Sequence, residues 1–193
     1  MSNAIIFEQI NRITIVRFNR PEIRSPLSIS VLDELHSIVD SVSYGAAGLV
    51  FTGVGDVFAS GADLREIAAV NGDNARDFAL RGQTLMSKIA SISIETIAAV
   101  NGFCYGGALD LALACGRRVA SPNAEFCHPG AGLGIMTGWG GTQRLPLLVG
   151  EAEALEIFMM AKRVSADQAL EIGLIDEIND DPLARAVEMM SVV

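Results

Sequence analysis

Ala98-Ala99-Val100-Asn101-Gly102-Phe103-Cys104-Tyr105-Gly106-Gly107-Ala108-Leu109-Asp110-Leu111-Ala112-Leu113-Ala114-Cys115 is the stretch whose reading decides the fold. A short apolar run breaks at Asn101-Gly102 and resumes after Gly106-Gly107 at helical density. This is the pattern of a buried strand, a turn and a helix. The first amides of such a helix lack intrahelical partners and sit at the positive end of its dipole. Glycines beside them let another molecule approach, which suits an anion or a developing oxyanion. Asp110, the one acid in this segment, falls about one turn past the paired glycines. It is either a structural acid that caps a neighbour or pairs with Arg117 or Arg118, or a buried carboxyl suited to proton transfer.

Working outward, Ile5–Glu8 and Ile13–Phe18, separated by polar Gln9–Arg12, read as a hairpin whose second strand ends at Asn19-Arg20-Pro21. Ser28 or Ser30 can cap a helix carrying Leu32, Leu35, Val39 and Val42 on one face. Gly45–Gly48 leads into Leu49–Gly53, whose unbroken apolar character implies a strand buried on both sides. Gly53–Glu66 reads as a loop of small residues ending at a helix capped by Asp63. It is a second place where backbone amides are open to a neighbour. Asn74 is positioned to cap a longer helix with Phe78, Leu85 and Ile89 on one stripe. Arg117–Ala120 and Glu125–Cys127 read as strands, followed by a glycine-rich loop holding Trp139. Helices are expected over Thr142–Val149 and Glu153–Ala161. A short helix from Ser165 to Gly173, a strand at Ile175–Ile178 and a terminal helix from Asp180 or Asp181 through Met190 follow. The alternation indicates an α/β architecture without fixing its topology.

Half of the 193 residues are hydrophobic and 19% are charged. That suits a packed core and argues against disorder. One domain over residues 1–193 is the default, with a core at about 5–150 and a helical part at about 151–193. No apolar run approaches the ~20 residues of a membrane span. The N-terminal residues lack the pattern of a secretory signal. Three scattered cysteines fit buried, reduced thiols and a cytoplasmic setting. Residues 1–150 carry a net charge of −2 and residues 151–193 a net of −7. There is no basic stripe for a nucleic-acid backbone, and acidic helix faces account for the C-terminal charge. The sequence also lacks a dinucleotide fingerprint, a P-loop, a nucleophile elbow and a histidine-rich metal site. His36 reads as structural. His128, bordering the glycine-rich loop, is a candidate for substrate contact.

Several motifs occur in an order that resembles one family. They are Asn19-Arg20-Pro21, Phe58-Ala59-Ser60-Gly61-Ala62-Asp63-Leu64, Ala99-Val100-Asn101-Gly102 with Gly106-Gly107, Gly140-Gly141-Thr142-Gln143-Arg144-Leu145 and Ala169–Ile175. On them the chain resembles the crotonase (enoyl-CoA hydratase/isomerase) superfamily. The resemblance implies a spiral of ββα units and an enzyme acting on coenzyme A thioesters of fatty-acid metabolism, with coenzyme A as part of the substrate and no metal. It implies an oxyanion hole formed by the amides of Ala62 and Gly107. Asp110 would be the leading acid/base, with His128 second. Arg24, Ala59, Gly61, Asp63, Leu64 and Gly106 would lie along the coenzyme and substrate. A homotrimer, often paired into a hexamer, is implied too.

Three departures from the family pattern bear on the reaction. Hydratases of this family use two glutamates; the first position holds Asp110 and the second Gly130. Water addition across an enoyl bond needs two proton-handling groups. A single-base reaction, such as double-bond isomerisation, therefore competes with hydration. Ser25 stands close to where an asparagine is frequent. The implied C-terminal helices, which cover the acyl pocket, are shortened here. The alternative reading is a catalytically weak acyl-CoA-binding or assembly subunit that keeps the fold.

Overall fold

The computed structural model describes residues 3–42 and 46–191. Gly45, which begins the lead into Leu49–Gly53, lies outside the described residues. Strands β1 (Ile5–Ile10) and β2 (Ile13–Phe18) form the expected antiparallel hairpin, with β1 running two residues past its expected end. Helix α1 (Ile29–Val42) follows, and the Ser28 hydroxyl accepts from the Val31 amide at 3.4 Å. Of the two candidate caps, Ser28 is the one the structure uses.

Strand β3 (Gly48–Gly53) is buried along its whole length, as its apolar run requires. Next come β4 (Val57–Ala59), α2 (Leu64–Ala68), α3 (Ala75–Ser91), β5 (Glu95–Val100), β6 (Phe103–Tyr105) and α4 (Gly107–Ala114). The chain continues through β7 (Arg117–Ala120), β8 (Glu125–Cys127), α5 (Gly141–Val149), α6 (Glu151–Met159), β9 (Val164–Ser165), α7 (Ala166–Glu171), β10 (Glu177–Ile178) and α8 (Pro182–Ser191). Asn74 precedes α3 but does not cap it. Its side-chain oxygen accepts from the Asn71 amide at 2.7 Å, closing a turn before the helix instead.

The strands build two sheets. The larger has the order β1-β2-β3-β5-β7-β10, and the smaller has the order β4-β6-β8-β9. Consecutive strand pairs (β3 and β4, β5 and β6, β7 and β8) place one strand in each sheet, so the chain winds as a spiral of ββα turns. Pairing is parallel within both series, at β3–β5–β7 and at β4–β6–β8. Strands β4 and β6 lie inside stretches expected to be loop and turn. Each is three residues long, too short to show an alternation.

One face of the large sheet presents Val16, Phe18, Leu49, Phe51, Ala98 and Val100 to the main core, with Leu35, Val39, Leu85, Ile89 and Leu109 from the helices. Full burial of each large apolar side chain is worth roughly 1.5–3 kcal/mol. The opposite face carries Ile13, Ile15, Val50, Ile97, Ala99 and Val119, and Ala186 and Met190 of α8 cover it. The terminal helix thus explains why β3 and β5 read as apolar on both sides. Its charged residues stay outside: Arg185 pairs with Glu188 of the same helix and with Glu177 of β10, both at 2.8 Å. Among the described residues no helix is long and apolar enough to cross a membrane.

Candidate active site

Asn101 ties the two small-residue loops together. Its side-chain oxygen accepts from the Gly53 amide at 2.8 Å, and its nitrogen donates to the carbonyls of Gly55 and Val57 at 2.9 and 3.2 Å. The turn after β5 therefore anchors the loop leaving β3. Farther along, Gly61 has φ of +80°, and a Cβ there would overlap the Gly107 amide nitrogen and lie 2.8 Å from the Tyr105 carbonyl oxygen. The loop carrying Ala62 is thus packed directly on the start of α4.

Leu27 donates to the Gly61 carbonyl at 2.7 Å and forms an isolated parallel bridge with Ala62. In a parallel bridge one residue of the pair uses both main-chain groups and the other neither. Leu27 is the bonded one, so the Ala62 amide faces away from it. Gly107 is the first residue of α4, where an amide has no intrahelical acceptor. Ala62, Gly106 and Gly107 line the same cavity, of about 380 Å³.

The rest of that cavity is mainly apolar. Leu64, Ile67, Val70 and Phe78 form one wall, and Leu133, Ile135 and Met136 from the glycine-rich loop form another. Trp139 also lines it and is seated against Gly82 of α3 and Gly107 of α4. Three residues with polar side chains are among its lining: Ser60, His128 and Thr137.

Asp110 stands behind them with 0% exposure. The Thr137 hydroxyl donates to its Oδ2. Its Oδ1 lies 3.3 Å from His128 Nε2. That distance is within ion-pair reach, yet the two atoms are not aligned as a hydrogen bond, and both are buried without another partner. Buried polar groups left this way are costly and are commonly functional. The start of α5 packs directly on the carboxylate, since a Cβ on Gly141 would overlap Oδ1. Asp110 does not pair with either arginine. Arg117 pairs with Glu95 at 3.2 Å, and Arg118 binds Asp176 at 3.3 Å and the Leu174 and Cys115 carbonyls at 2.8 and 2.9 Å. His36 contacts the Arg81 carbonyl at 3.0 Å, between α1 and α3, in keeping with a structural role.

A second cleft, of about 770 Å³, shares Ser60, Ala62, Leu64, Pro129 and Leu133 with the cavity and opens to solvent. Arg24, Arg65 and Arg163 line it. The Arg24 guanidinium sits 4.7 Å from the centre of the Phe103 ring, which is stacked on Tyr105 at 3.6 Å. Burial and the hydrogen bond from Tyr105 to Glu125 push the Tyr105 phenol well above its ordinary pKa. Asp63 caps α2, accepting from the Arg65 amide at 2.9 Å. The Arg65 guanidinium bonded to its side chain holds the carboxyl below the ordinary carboxylate range. Ser25 is buried, and its hydroxyl accepts from the Arg20 amide at 3.1 Å, closing the loop that presents Arg24.

Of the expected site residues, Ala62, Gly106, Gly107, Leu64 and His128 line the cavity, and Arg24, Asp63 and Leu64 line the cleft. Asp110 touches the cavity only through its neighbours. Ala59 and Gly61 line neither space. Ala59 is fully buried as the last residue of β4, so it presents no surface to a ligand. Gly61 serves as the contact between the two loops, where any side chain would clash. Gly130 lines the cavity, but a Cβ there would lie 2.6 Å from the Ile135 carbonyl oxygen. Thr137 was missed by sequence reasoning, although a lone hydroxyl in the apolar run Ile135-Met136-Thr137 was a usable signal. Among the described residues no group of three His, Cys, Asp or Glu side chains could hold a metal ion.

The profile for enoyl-CoA hydratase/isomerase matches residues 8–190. The chain belongs to the enoyl-CoA hydratase/isomerase family. It is 36% identical to a short-chain-enoyl-CoA hydratase of Clostridium acetobutylicum, over 91% of this chain and 69% of that one. It is 38% identical to a crotonyl-CoA hydratase of Syntrophomonas wolfei, over 90% of this chain and 68% of the relative. The crystal structure of an enoyl-CoA hydratase from Bacillus anthracis superposes with a TM-score of 0.92 at 31% identity, over 98% of this chain and 76% of that one. The fold is that of the crotonase superfamily, and the protein is an enzyme of the hydratase/isomerase type.

Proposed function

We propose that this enzyme binds an acyl-coenzyme A thioester with the acyl group in the apolar cavity and the coenzyme along the arginine-lined cleft. The thioester oxygen would accept hydrogen bonds from the Ala62 and Gly107 amides. These donors are fixed by the fold before substrate arrives, so the charge of an enolate is stabilised without reorganisation. Asp110 would serve as the acid/base for the α-proton, with His128 beside it as the second polar group. The observation that carries this reading is that Ala62 and Gly107 line one apolar cavity, with the carboxylate of Asp110 sealed behind its Thr137 wall.

Hydration by two carboxylates is not the step this site supports. Position 130 is glycine, and among the described residues none that lines the cavity is an acid. A reaction that moves one proton at a time, such as double-bond isomerisation, fits a single acid/base. Coenzyme A enters as part of the substrate, and the reading requires no metal. Exposed Leu147, Leu155, Met159 and Met160 on α5, α6 and just beyond are consistent with a homotrimer or a pair of trimers. Buried free thiols at Cys104, Cys115 and Cys127 are consistent with the cytoplasm.

The test is exchange of the α-protons of butyryl-CoA with deuterated solvent, followed by proton NMR. The wild type should exchange them, and Asp110→Asn should lose roughly 10²–10⁴-fold in rate. No exchange by the wild type with any of a panel of acyl and enoyl thioesters would sink the proposal.

A further inference from the structure

We infer that Thr137 is the group that touches the reacting carbon, relaying a proton between it and Asp110. The inference rests on the acyl-thioester reading above and says how a carboxylate sealed from the cavity reaches its substrate. Asp110 has no exposed surface, whereas Thr137 lines the cavity and its hydroxyl donates to Asp110 Oδ2. A threonine hydroxyl has one O–H and two lone pairs. With the O–H committed to Asp110, only lone pairs remain to face the cavity, so Thr137 is set to accept a proton there. His128 reaches the same wall, but its Nε2 stands 3.3 Å from Oδ1 without hydrogen-bond alignment, so it makes no comparable link to the carboxylate.

The step balances without a co-reactant. The α C–H bond breaks and its proton passes to Thr137 Oγ1. In the same step the proton that Oγ1 held passes to Asp110 Oδ2. The C–H electron pair moves into the enolate, whose oxygen faces the Ala62 and Gly107 amides. Asp110 becomes neutral as the enolate takes the negative charge. Reversing the relay delivers the proton to the α carbon or, in an isomerisation, to the γ carbon.

Thr137→Val and Thr137→Ser separate this from a packing role, with butyryl-CoA as the probe. Thr137→Val, nearly isosteric, should lower α-proton exchange by about 10²-fold, the lower end of general acid–base effects, with the thioester dissociation constant unchanged. Thr137→Ser keeps the hydroxyl and should stay near the wild-type rate. Release of tritium from α-tritiated thioester should be slower in D₂O than in H₂O, because the threonine proton moves in the same step. Wild-type exchange by Thr137→Val, loss of exchange by both variants, or equal rates in the two solvents would each overturn the relay. If Thr137→Val does not fold, the serine variant and the solvent comparison still decide. A wild type that exchanges no thioester α-proton overturns the acyl-thioester reading itself, so the two failures are distinguishable.

Discussion

Replacing Gly61 by alanine perturbs the contact on which the candidate oxyanion hole depends. Its φ of +80° is a left-handed conformation, which costs an L-residue roughly 1–2 kcal/mol. The added Cβ also meets backbone on both sides: it overlaps the Gly107 amide nitrogen and lies 2.8 Å from the Tyr105 carbonyl oxygen. Backbone cannot swing aside as a flexible side chain can, so the loops must part, with an overpacking cost of about 1–3 kcal/mol. The combined destabilisation is then roughly 2–5 kcal/mol, measurable by urea unfolding. Parting the loops moves the Ala62 and Gly107 amides from their common target. Loss of one such donor lowers turnover by roughly 10²–10³-fold. Urea melts and α-proton exchange with butyryl-CoA should be measured on the same preparation. Gly72→Ala is the control, since a Cβ there meets nothing within 4 Å. It should change stability by no more than about 0.5 kcal/mol. A Gly61→Ala protein with unchanged stability and wild-type exchange would refute the claim that the two loops are locked together for a purpose.

Two further outcomes follow from named contacts. Asp63→Ala removes the cap of α2 and should cost about 1 kcal/mol at pH 7. The folded pKa of Asp63 is depressed, chiefly by its side-chain bond with Arg65. Its stabilisation is therefore present above the unfolded value of about 3.9 and fades as pH falls through the lower folded value. Urea melts at pH 7 and pH 3 should show the difference between variant and wild type shrinking in acid; a difference that is equal at both would contradict the assignment. Gly130→Glu restores a second carboxylate to the sequence but should not bring crotonyl-CoA hydration with it. The new Cβ would lie 2.6 Å from the Ile135 carbonyl oxygen, so the loop must shift before the side chain can enter the cavity. Efficient hydration by this variant, followed at the absorbance of the enoyl thioester, would show that the missing acid alone separates this site from a two-acid hydratase.

Long elements with strong patterning were legible in the sequence. The largely apolar strands β3 and β5, the amphipathic helices α1 and α3, and the start of α7 at Ser165 carry their own signals. The small sheet did not, because β4, β6 and β8 have three residues each and owe their pairing to the spiral. Only β8 was anticipated. The Gly106-Gly107 helix start and the Ala62 loop were visible as places with open amides. Their direct contact through Gly61 was not, since it depends on two backbones converging across 46 positions. Asp110 was legible as an isolated acid in an apolar helix. That it lies behind Thr137 and His128, beneath the cavity wall, follows from how the glycine-rich loop folds back over α4, and spacing carries no record of that.

A crystal structure with a non-reactive acyl-coenzyme A analogue tests the central claim most directly. The account requires the thioester oxygen to lie within about 2.7–3.1 Å of both amide nitrogens, those of Ala62 and Gly107. The acyl α carbon should then lie against the wall formed by Thr137 and His128. A thioester bound with its oxygen turned away from either amide, or with its α carbon remote from Thr137, would contradict it.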